Sequence, residues 1–539
     1  MENSTSSNHK FTPALIFVLL SILLIQAVFS MRVKSPTFDE PFHLIAGYIH
    51  LIKKDLDYKN EHPPLIRQLA ALPLLFLDLK LPKDTDQWGE DIRLGFGKRF
   101  LYSPGNDVDK IIFLGRLPIV FLSILLGLYV YFWARDLYGQ NAGLFSLFLY
   151  VFSPNIIAHS RLVTTDLGST CFIFIACYYF WKFLKEPSLR FICLAGFTIG
   201  LALVSKFSAL LLFPIFFILL VVNFTSLKLS VFKENLNNAK NEPPKFWIQR
   251  FAAISLIIIG VIFLTFQMQH DAFSKYIAGI ERLMFIHFIN NSDYSNYIMG
   301  EFSQNPFWYY YIVAFLIKTP VPTLILFVLA FSLHRQSSTN RINEFFILLP
   351  VIIFITASLF DNSNVGIRRI LPIYPFLFVY IGTLLQETKD IQFIFLTKKK
   401  LIMALSILMA WYGISSIKTF PDYLTYFNDI VGGSKKGILY LDESNIDWGQ
   451  DLKRLKEFLD KREINQIKLL YHGQADPTYY GIKYSKFTNE DIRSGPKDGY
   501  YAISAHKLIR LITNPNWEQL GNPIGIVGNT IFVFKFSSP

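Results

Sequence analysis

The sequence predicts an α-helical polytopic membrane protein with a small α/β domain after its last span, and three observations carry that expectation. Of 539 residues, 52% are hydrophobic, 16% aromatic and only 17% charged, where a soluble chain holds nearer a quarter charged residues. Apolar runs recur at the length of about 20 residues that a helix needs to cross a bilayer. Lys and Arg gather in alternate connecting loops, as the positive-inside rule requires.

Eleven runs read as spans, at about 12–31, 111–133, 142–157, 167–184, 191–204, 207–223, 251–268, 309–332, 344–360, 370–386 and 401–417. The first ends near the small residues Ala27 and Ser30, but it is long for a signal peptide and only Lys10 precedes it, so a retained span is expected. With the N-terminus cytoplasmic, the inward loops carry Arg135, then Lys182, Lys185 and Arg190, then Lys228, Lys233, Lys240, Lys245 and Arg250. Arg335, Arg341, Lys389, Lys398, Lys399 and Lys400 follow on the same side, against Arg161, Lys206, Arg368 and Arg369 in the short outward loops. The expected location is therefore the plasma (inner) membrane, multi-pass, with the functional face and the tail extracytoplasmic. The net charge of +12 belongs to this topology, since no basic stripe interleaved with aromatic residues marks a nucleic-acid surface. Cys171, Cys177 and Cys193 all fall in apolar stretches and read as small core residues, with neither a disulfide framework nor a metal site.

Residues 1–417 then form a transmembrane catalytic domain with a first outer loop at about 32–110 and a second at about 269–308. In the first loop, "EPFHLIAGYIHLIKK" and "PPLIRQLAALPLLFLDLKLP" have apolar stripes broken by Pro and charge, which suits helices lying in the membrane interface. Residues 418–539 change composition and read as an α/β domain. "GILYLDES", "INQIKLLYH", "DGYYAIS" and "NTIFVFKF" read as strands. "WGQDLKRLKEFLDKRE" reads as an amphipathic helix with Leu452, Leu455, Phe458 and Leu459 on one face.

On this topology an unusual set of charges collects at the outer membrane surface. Asp39 and Glu40 follow the first span; Glu61, His62 and Arg67 share "EHPPLIRQ"; Arg116 lies near the outer end of the second span. Arg161, which reads as a surface charge, and Asp166 flank "RLVTTD". Lys206 sits in a tight turn, Lys318 lies near the outer part of the eighth span, and Arg368 with Arg369 opens the tenth. Ionisable groups at a membrane are costly unless paired or hydrated, so they mark function by default. Carboxylates beside clustered cations suit a general base facing an anionic lipid headgroup. Arg holds a phosphate bidentately and Lys as a point charge, and both stabilise charge growing on a departing phosphate. Lys206, Arg116, Arg368, Arg369 and Lys318 form the expected donor-phosphate set, with His62 and Arg67 binding substrate. These cations make a divalent ion unnecessary, no His/Asp/Glu spacing demands one, and no cofactor is expected.

The order "FDEPFH", "EHPPL", "GRLP", "TTDLG", "GLALVSKFSALLLFP", "WYYYIVAFLIKTPVP", "RRILPIYPF" resembles the protein O-mannosyltransferase-like family of GT-C type integral membrane glycosyltransferases, which also includes the lipid A aminoarabinose transferases. The tail's "ESNIDWGQDLKRLKEFL" and "YYGIKY" look like the C-terminal part of bacterial members. The resemblance implies transfer of one sugar, commonly mannose, from a polyprenyl-phosphate donor to an acceptor outside the cytoplasm, with inversion at the anomeric carbon. It implies Asp39 as base, with Glu40 as its neighbour and tuner, Asp166 as the acidic residue of the outer loop between the third and fourth spans, and Arg116, Lys206 and Arg368 or Arg369 toward the donor. The chain lacks the MIR domain of the fungal enzymes, and its tail departs from the aminoarabinose transferases, so protein, lipid and glycan acceptors all stay open. The rival class is a transporter or flippase of a lipid-linked anion. A transporter puts its charges near the midplane, often with repeat symmetry, and no internal repeat is seen here.

Overall fold

The computed structural model describes residues 11–57, 61–82, 92–228, 243–288, 295–334, 341–386, 398–518 and 520–537. Its helical part runs α1 (Thr12–Arg32), α2 (Glu40–Ile52), α3 (Leu65–Ala71), α4 (Ile92–Leu101), α5 (Val108–Tyr138), α6 (Gln140–Val151), α7 (Pro154–Ser160), α8 (Thr165–Lys185) and α9 (Leu189–Leu203). After α10 (Leu212–Lys228), α11 (Pro244–Thr265) and α12 (Ala272–Phe288) comes a hairpin, β1 (Asn296–Ile298) with β2 (Glu301–Ser303). Then follow α13 (Tyr310–Lys318), α14 (Val321–His334), α15 (Arg341–Ser358), α16 (Ile373–Ile381) and α17 (Lys398–Thr419).

Among the described residues, α1, α5, α8, α11 and α17 are each long and apolar enough to cross a membrane. The pairs α6 with α7 and α13 with α14 qualify as broken spans, bent by 65° and 106°. Pro154 and Pro320 lie at these breaks, where a missing N–H and a fixed φ stop the preceding helix. Shorter apolar helices, Leu189–Leu203, Phe207–Asn223, Ile342–Ser358 and Ile373–Leu385, fall on the other four expected spans. All eleven expected runs are thus helical, four of them short of spanning length.

The first outer loop departs from its expected interfacial character. Every residue from Glu40 to His50 of α2 is buried, so this helix lies inside the protein rather than along a surface. Only the second stretch, Leu65–Phe76, shows an apolar face, with Leu72, Leu75 and Phe76 exposed. Close approach of α2 to α3 depends on Gly47, where an added Cβ would fall inside the carbonyl oxygen of Arg67. Gly47→Ala is expected to destabilise the protein by about 1–3 kcal/mol, read as a lower melting temperature in detergent; an unchanged value would show that α3 can shift freely.

Beyond α17 the chain does not separate from the helical body. The expected strand at 437–444 is instead a run of 3₁₀ turns, Ser434–Leu439 and Glu443–Asn445. Its backbone serves other partners: the Tyr440 carbonyl accepts from the amide of Met299 (2.9 Å) and the Ile438 carbonyl from the Tyr297 hydroxyl (3.0 Å). The remaining elements are α18 (Leu452–Lys461), β3 (Ile467–Leu470), β4 (Tyr484–Lys486), α19 (Asn489–Ser494), β5 (Gly499–Ser504), α20 (Ala505–Leu511), β6 (Gly525–Val527) and β7 (Ile531–Phe536). The sheet order is β4-β3-β5-β7-β6, with β3 parallel to β4 and β5, and β7 antiparallel to β5 and β6.

Strand alternation divides this sheet's two faces. Ala502, Ile531 and Val533 pack with Leu452, Leu455 and Leu459 of α18, as the amphipathic pattern predicts, with Phe458 partly buried beside them. Tyr501, Ile503, Phe532 and Phe534 face the other way and join the core of the helical body. Cys171 and Cys177 are buried as expected, but Cys193 is exposed on the outside of α9.

Candidate active site

The candidate site forms where the loop after α1, the segment before α16 and the tail converge. Residues 35–38 cross residues 448–450 as an extended strap: the Ser35 amide donates to the Gln450 carbonyl (3.0 Å) and the Phe38 amide to the Trp448 carbonyl (2.8 Å). The Ser35 hydroxyl donates to the Gly449 carbonyl (3.1 Å) and accepts from the Leu452 amide (3.1 Å). Lys34, fully buried, is ion-paired to Asp422 and to Asp451 (2.6 Å) of the tail. The Phe38 ring stacks on His472 (5.2 Å), which stacks on His506 (3.9 Å). Burial and the neighbouring His506 push His472 down to about 3, so the stack holds a neutral ring.

Asp39 sits at the N-cap of α2, yet its carboxylate makes no capping bond. It accepts instead from Arg368 Nη1 (2.8 Å), and about a quarter of the side chain remains exposed. Arg368 is itself fixed by donation from Nε to the Val365 carbonyl (3.2 Å) and by the face of Trp448, 4.3 Å away. Glu40, the adjacent carboxylate, points the other way. It is fully buried and takes two bonds from Arg116, Nε at 2.7 Å and Nη2 at 2.6 Å. The amides of Thr37 (2.8 Å) and Val163 (3.1 Å) and the Thr37 hydroxyl (3.0 Å) complete its shell. Burial alone would raise its pKa, but the Arg116 guanidinium and these donors outweigh that and hold it below the ordinary carboxylate range. Arg116 spends its other donors on the carbonyls of Met31 (3.0 Å) and Ser35 (3.1 Å). Glu40, expected as the tuner of Asp39, and Arg116, expected toward the donor phosphate, are instead bonded to each other as a buried pair.

Asp166, in the first turn of α8, accepts from Lys206 Nζ (2.6 Å), and both side chains are nearly buried. Lys206 also lines a cavity of about 470 Å³ together with His62, Arg369, Asp361 and Asn362. Apart from Ser208 and Ser358 the rest of that wall is apolar, with Leu210, Leu211, Ile280, Leu283, Met284 and Phe354 among its residues. Arg369 pairs with Asp361 through Nε (3.5 Å) and leaves a quarter of its side chain exposed. His62 lies beside His43 with ring centroids 5.6 Å apart, and its buried Nδ1 has no hydrogen-bond partner. Burial and then Arg67 hold its pKa well below the ordinary value, so His62 is neutral.

Three expectations end elsewhere. Lys318 is buried, donates to the carbonyls of Asn445 (2.7 Å) and Leu424 (2.8 Å), and lies over the Phe427 ring, so it ties α13 to the tail. Arg67 is buried, donates to His43 Nδ1 (3.0 Å) and reaches Glu61 (3.5 Å), behind the cavity rather than in it. Arg161 is buried, not a surface charge, and donates to the carbonyls of Ser30 and Pro421, each at 3.4 Å. Among the described residues no cluster of three or more His, Cys, Asp or Glu side chains could hold a metal ion.

Sequence reasoning missed Glu443, Trp448 and His159. Glu443 lies 3.7 Å from Arg368 Nη2, and burial raises its pKa despite that guanidinium. Trp448 stood in the motif noted for its helix, with no signal that its ring and carbonyl hold Arg368 and Phe38. His159 on α7 is buried, with both ring nitrogens lacking hydrogen-bond partners. Its place ahead of "TTD" was the one available hint.

Residues 108–234, which begin with α5 and run past the end of α10, match the family model described as dolichyl-phosphate-mannose-protein mannosyltransferase. No curated protein matches the chain. The solved structure of ArnT from Cupriavidus metallidurans bound to undecaprenyl phosphate is similar at a TM-score of 0.50 and 9% identity, covering 96% of this chain and 97% of that one. The same protein in the apo state gives 0.49 and 9% over 97% and 98%. The archaeal oligosaccharyltransferase AglB from Archaeoglobus fulgidus, in complex with an inhibitory peptide and a dolichol-phosphate, gives 0.42 and 12% over 74% of this chain and 56% of that one. The likeness to the undecaprenyl-phosphate-bound structure is one of architecture, and it extends over almost the whole of both chains. With its bent spans, its buried loop helix and its sheet-bearing tail, the chain is a multi-pass membrane protein that shares the GT-C fold of ArnT.

Proposed function

We propose that this protein is an inverting glycosyltransferase that moves one sugar, mannose or a similar hexose or pentose, from a polyprenyl-phosphate carrier to an acceptor at the extracytoplasmic face of the plasma membrane. The observation that carries the reading is the cavity in which Lys206 and Arg369 meet a wall of Leu210, Leu211, Ile280 and Leu283. Cations in the wall of a mostly apolar cavity suit a phosphate on a long lipid. Asp39 is the base, because its carboxylate is paired with Arg368, the residue next to Arg369 in the chain, and stays partly exposed. As the acceptor oxygen or nitrogen attacks C1 of the sugar, Asp39 takes its proton, the C1–O bond breaks, and the electron pair leaves on the lipid phosphate. Lys206 and Arg369 stabilise the charge growing there, with Asp166 orienting Lys206. The match to a mannosyltransferase model and the fold shared with a protein that binds undecaprenyl phosphate support the donor class.

The direct test supplies membranes containing the full-length protein with radiolabelled polyprenyl-phosphate mannose, and with pentose and other hexose analogues. Release of polyprenyl phosphate with transfer of label to a membrane component is expected; no release from any of them would end the reading. Arg369→Gln should raise the donor KM by about 10-fold or more, the loss of one charged hydrogen bond, with kcat changing less. An unchanged KM would remove Arg369 from the phosphate site.

A further inference from the structure

We infer that Glu443, far along the chain in the tail, completes the active site as a positioning residue for Asp39, acting through the Arg368 guanidinium that the two carboxylates share. The inference rests on Asp39 as the proposed base and adds a residue that neither the sequence motifs nor the fold assigns to it. Arg368 donates from Nη1 to Asp39 (2.8 Å) and presents Nη2 to Glu443 Oε1 (3.7 Å), so one planar cation lies between two acids from opposite ends of the chain. The tail is built to keep it there. Trp448 covers the face of the guanidinium at 4.3 Å, while its carbonyl holds the amide of Phe38, next to Asp39 (2.8 Å). Asn445 Oδ1 accepts from the amide of Ile367 (3.0 Å), next to Arg368, and Asn445 Nδ2 donates to the Tyr310 hydroxyl (2.8 Å). The Ser444 hydroxyl bonds the Val365 carbonyl, whose residue also takes the Arg368 Nε donor.

Glu443 itself sits at φ +57°, in the left-handed region that a non-glycine residue enters only when its surroundings hold it there, and such positions gather at functional sites. Its side chain is nearly buried, with 13% exposed, and one carboxylate oxygen accepts from the amide of Ser444. The charged and titratable groups facing it are Arg368, Asp39 and Tyr310, with Asp166 acting on Arg368 from α8, while the adjacent Asp442 is bonded to His506 and Arg510. A second acid on one guanidinium divides the attraction that would otherwise stabilise the ionised form of Asp39.

The test uses the full-length protein in detergent or native membranes and a readout that needs neither donor nor acceptor. Carbodiimide labelling of the protonated Asp39 carboxyl, followed by peptide mass spectrometry across pH, gives its titration midpoint. In E443Q, which keeps shape and removes charge, the midpoint should fall by about 0.5–1 pH unit; E443D should return toward the wild type, and turnover in E443Q should drop several-fold at unchanged donor KM. A wild-type midpoint in E443Q overturns the inference, and so does a drop in turnover with no shift in the midpoint, which a merely structural role would produce. If E443Q fails to fold, E443A, which also removes the charge, is measured in its place, and a wild-type midpoint there counts equally against the inference. D39N assayed beside them separates the two claims: an inactive D39N with an unaltered E443Q overturns the role of Glu443 alone, whereas an active D39N overturns Asp39 as base and the inference with it.

Discussion

Asp39→Asn is expected to lower turnover by roughly 10²–10⁴-fold, the range that a positioned general base contributes, while leaving expression and donor-lipid binding near the wild-type level. The structure supports this separation of chemistry from stability. Asp39 does not cap α2, and its one strong contact, Arg368 Nη1 to Oδ2 at 2.8 Å, can be kept by the amide oxygen of Asn. What Asn cannot do is accept the acceptor's proton. Release of polyprenyl phosphate at a rate close to wild type would remove Asp39 as the base. Glu40 offers the contrasting control one residue away, because the same acid-to-amide change there strikes a buried structural pair.

Arg116→Met should cost about 3–5 kcal/mol, because it leaves Glu40 as an uncompensated buried charge, and the expected result is loss of most folded protein. Glu40 is fully buried and Arg116 supplies two of its five hydrogen bonds. Removing both charges in R116M/E40Q should recover part of the yield, since the largest part of the penalty is the orphaned carboxylate rather than the lost attraction. Thermal melting of detergent-solubilised protein measures this; an R116M protein as stable as wild type would show that water reaches Glu40. The pair also sets a direction with pH. A carboxylate whose folded pKa lies below its unfolded value contributes stability that is fully present above the unfolded value and lost as pH falls through the folded one. Glu40 is lowered, so acidification below about pH 4.5 should erode stability in the wild type and do so less in E40Q.

The spans, the strands at 467–470, 499–504 and 531–536 and the helix at 452–461 were all legible, because each follows from a local period in the chain. Asp39, Asp166 and Lys206 were legible too, since charges beside apolar runs need partners wherever they end. What one residue's neighbours in sequence do not carry is direction. Adjacent carboxylates at 39 and 40 look alike as letters, and only the start of α2 turns one to Arg368 and the other to Arg116. Arg116 and Lys318 read as cations for a phosphate and Arg67 as a substrate contact, but each is consumed by carbonyls or by a side chain far away in sequence. "GILYLDES" carries the short apolar run of a buried strand, yet the hairpin β1–β2 and the Arg368 segment claim its backbone and side chains. Glu443 could not be read at all, because its role depends on a contact across 75 residues to Arg368 and, through it, on Asp39.

The strap between residues 35–38 and 448–450 joins segments more than 400 positions apart, and this imposes an order on biosynthesis. On the proposed topology the Asp39 loop reaches the far side of the membrane as soon as the first span is in place, long before the ribosome has made its partners. Lys34 must then wait for Asp422 and Asp451, and Phe38 for Trp448. The newborn chain therefore passes through insertion of every span with its acid loop unanchored and Arg368 uncovered. Competence arrives late and all at once, when the tail has been exported and folded against the loop that preceded it.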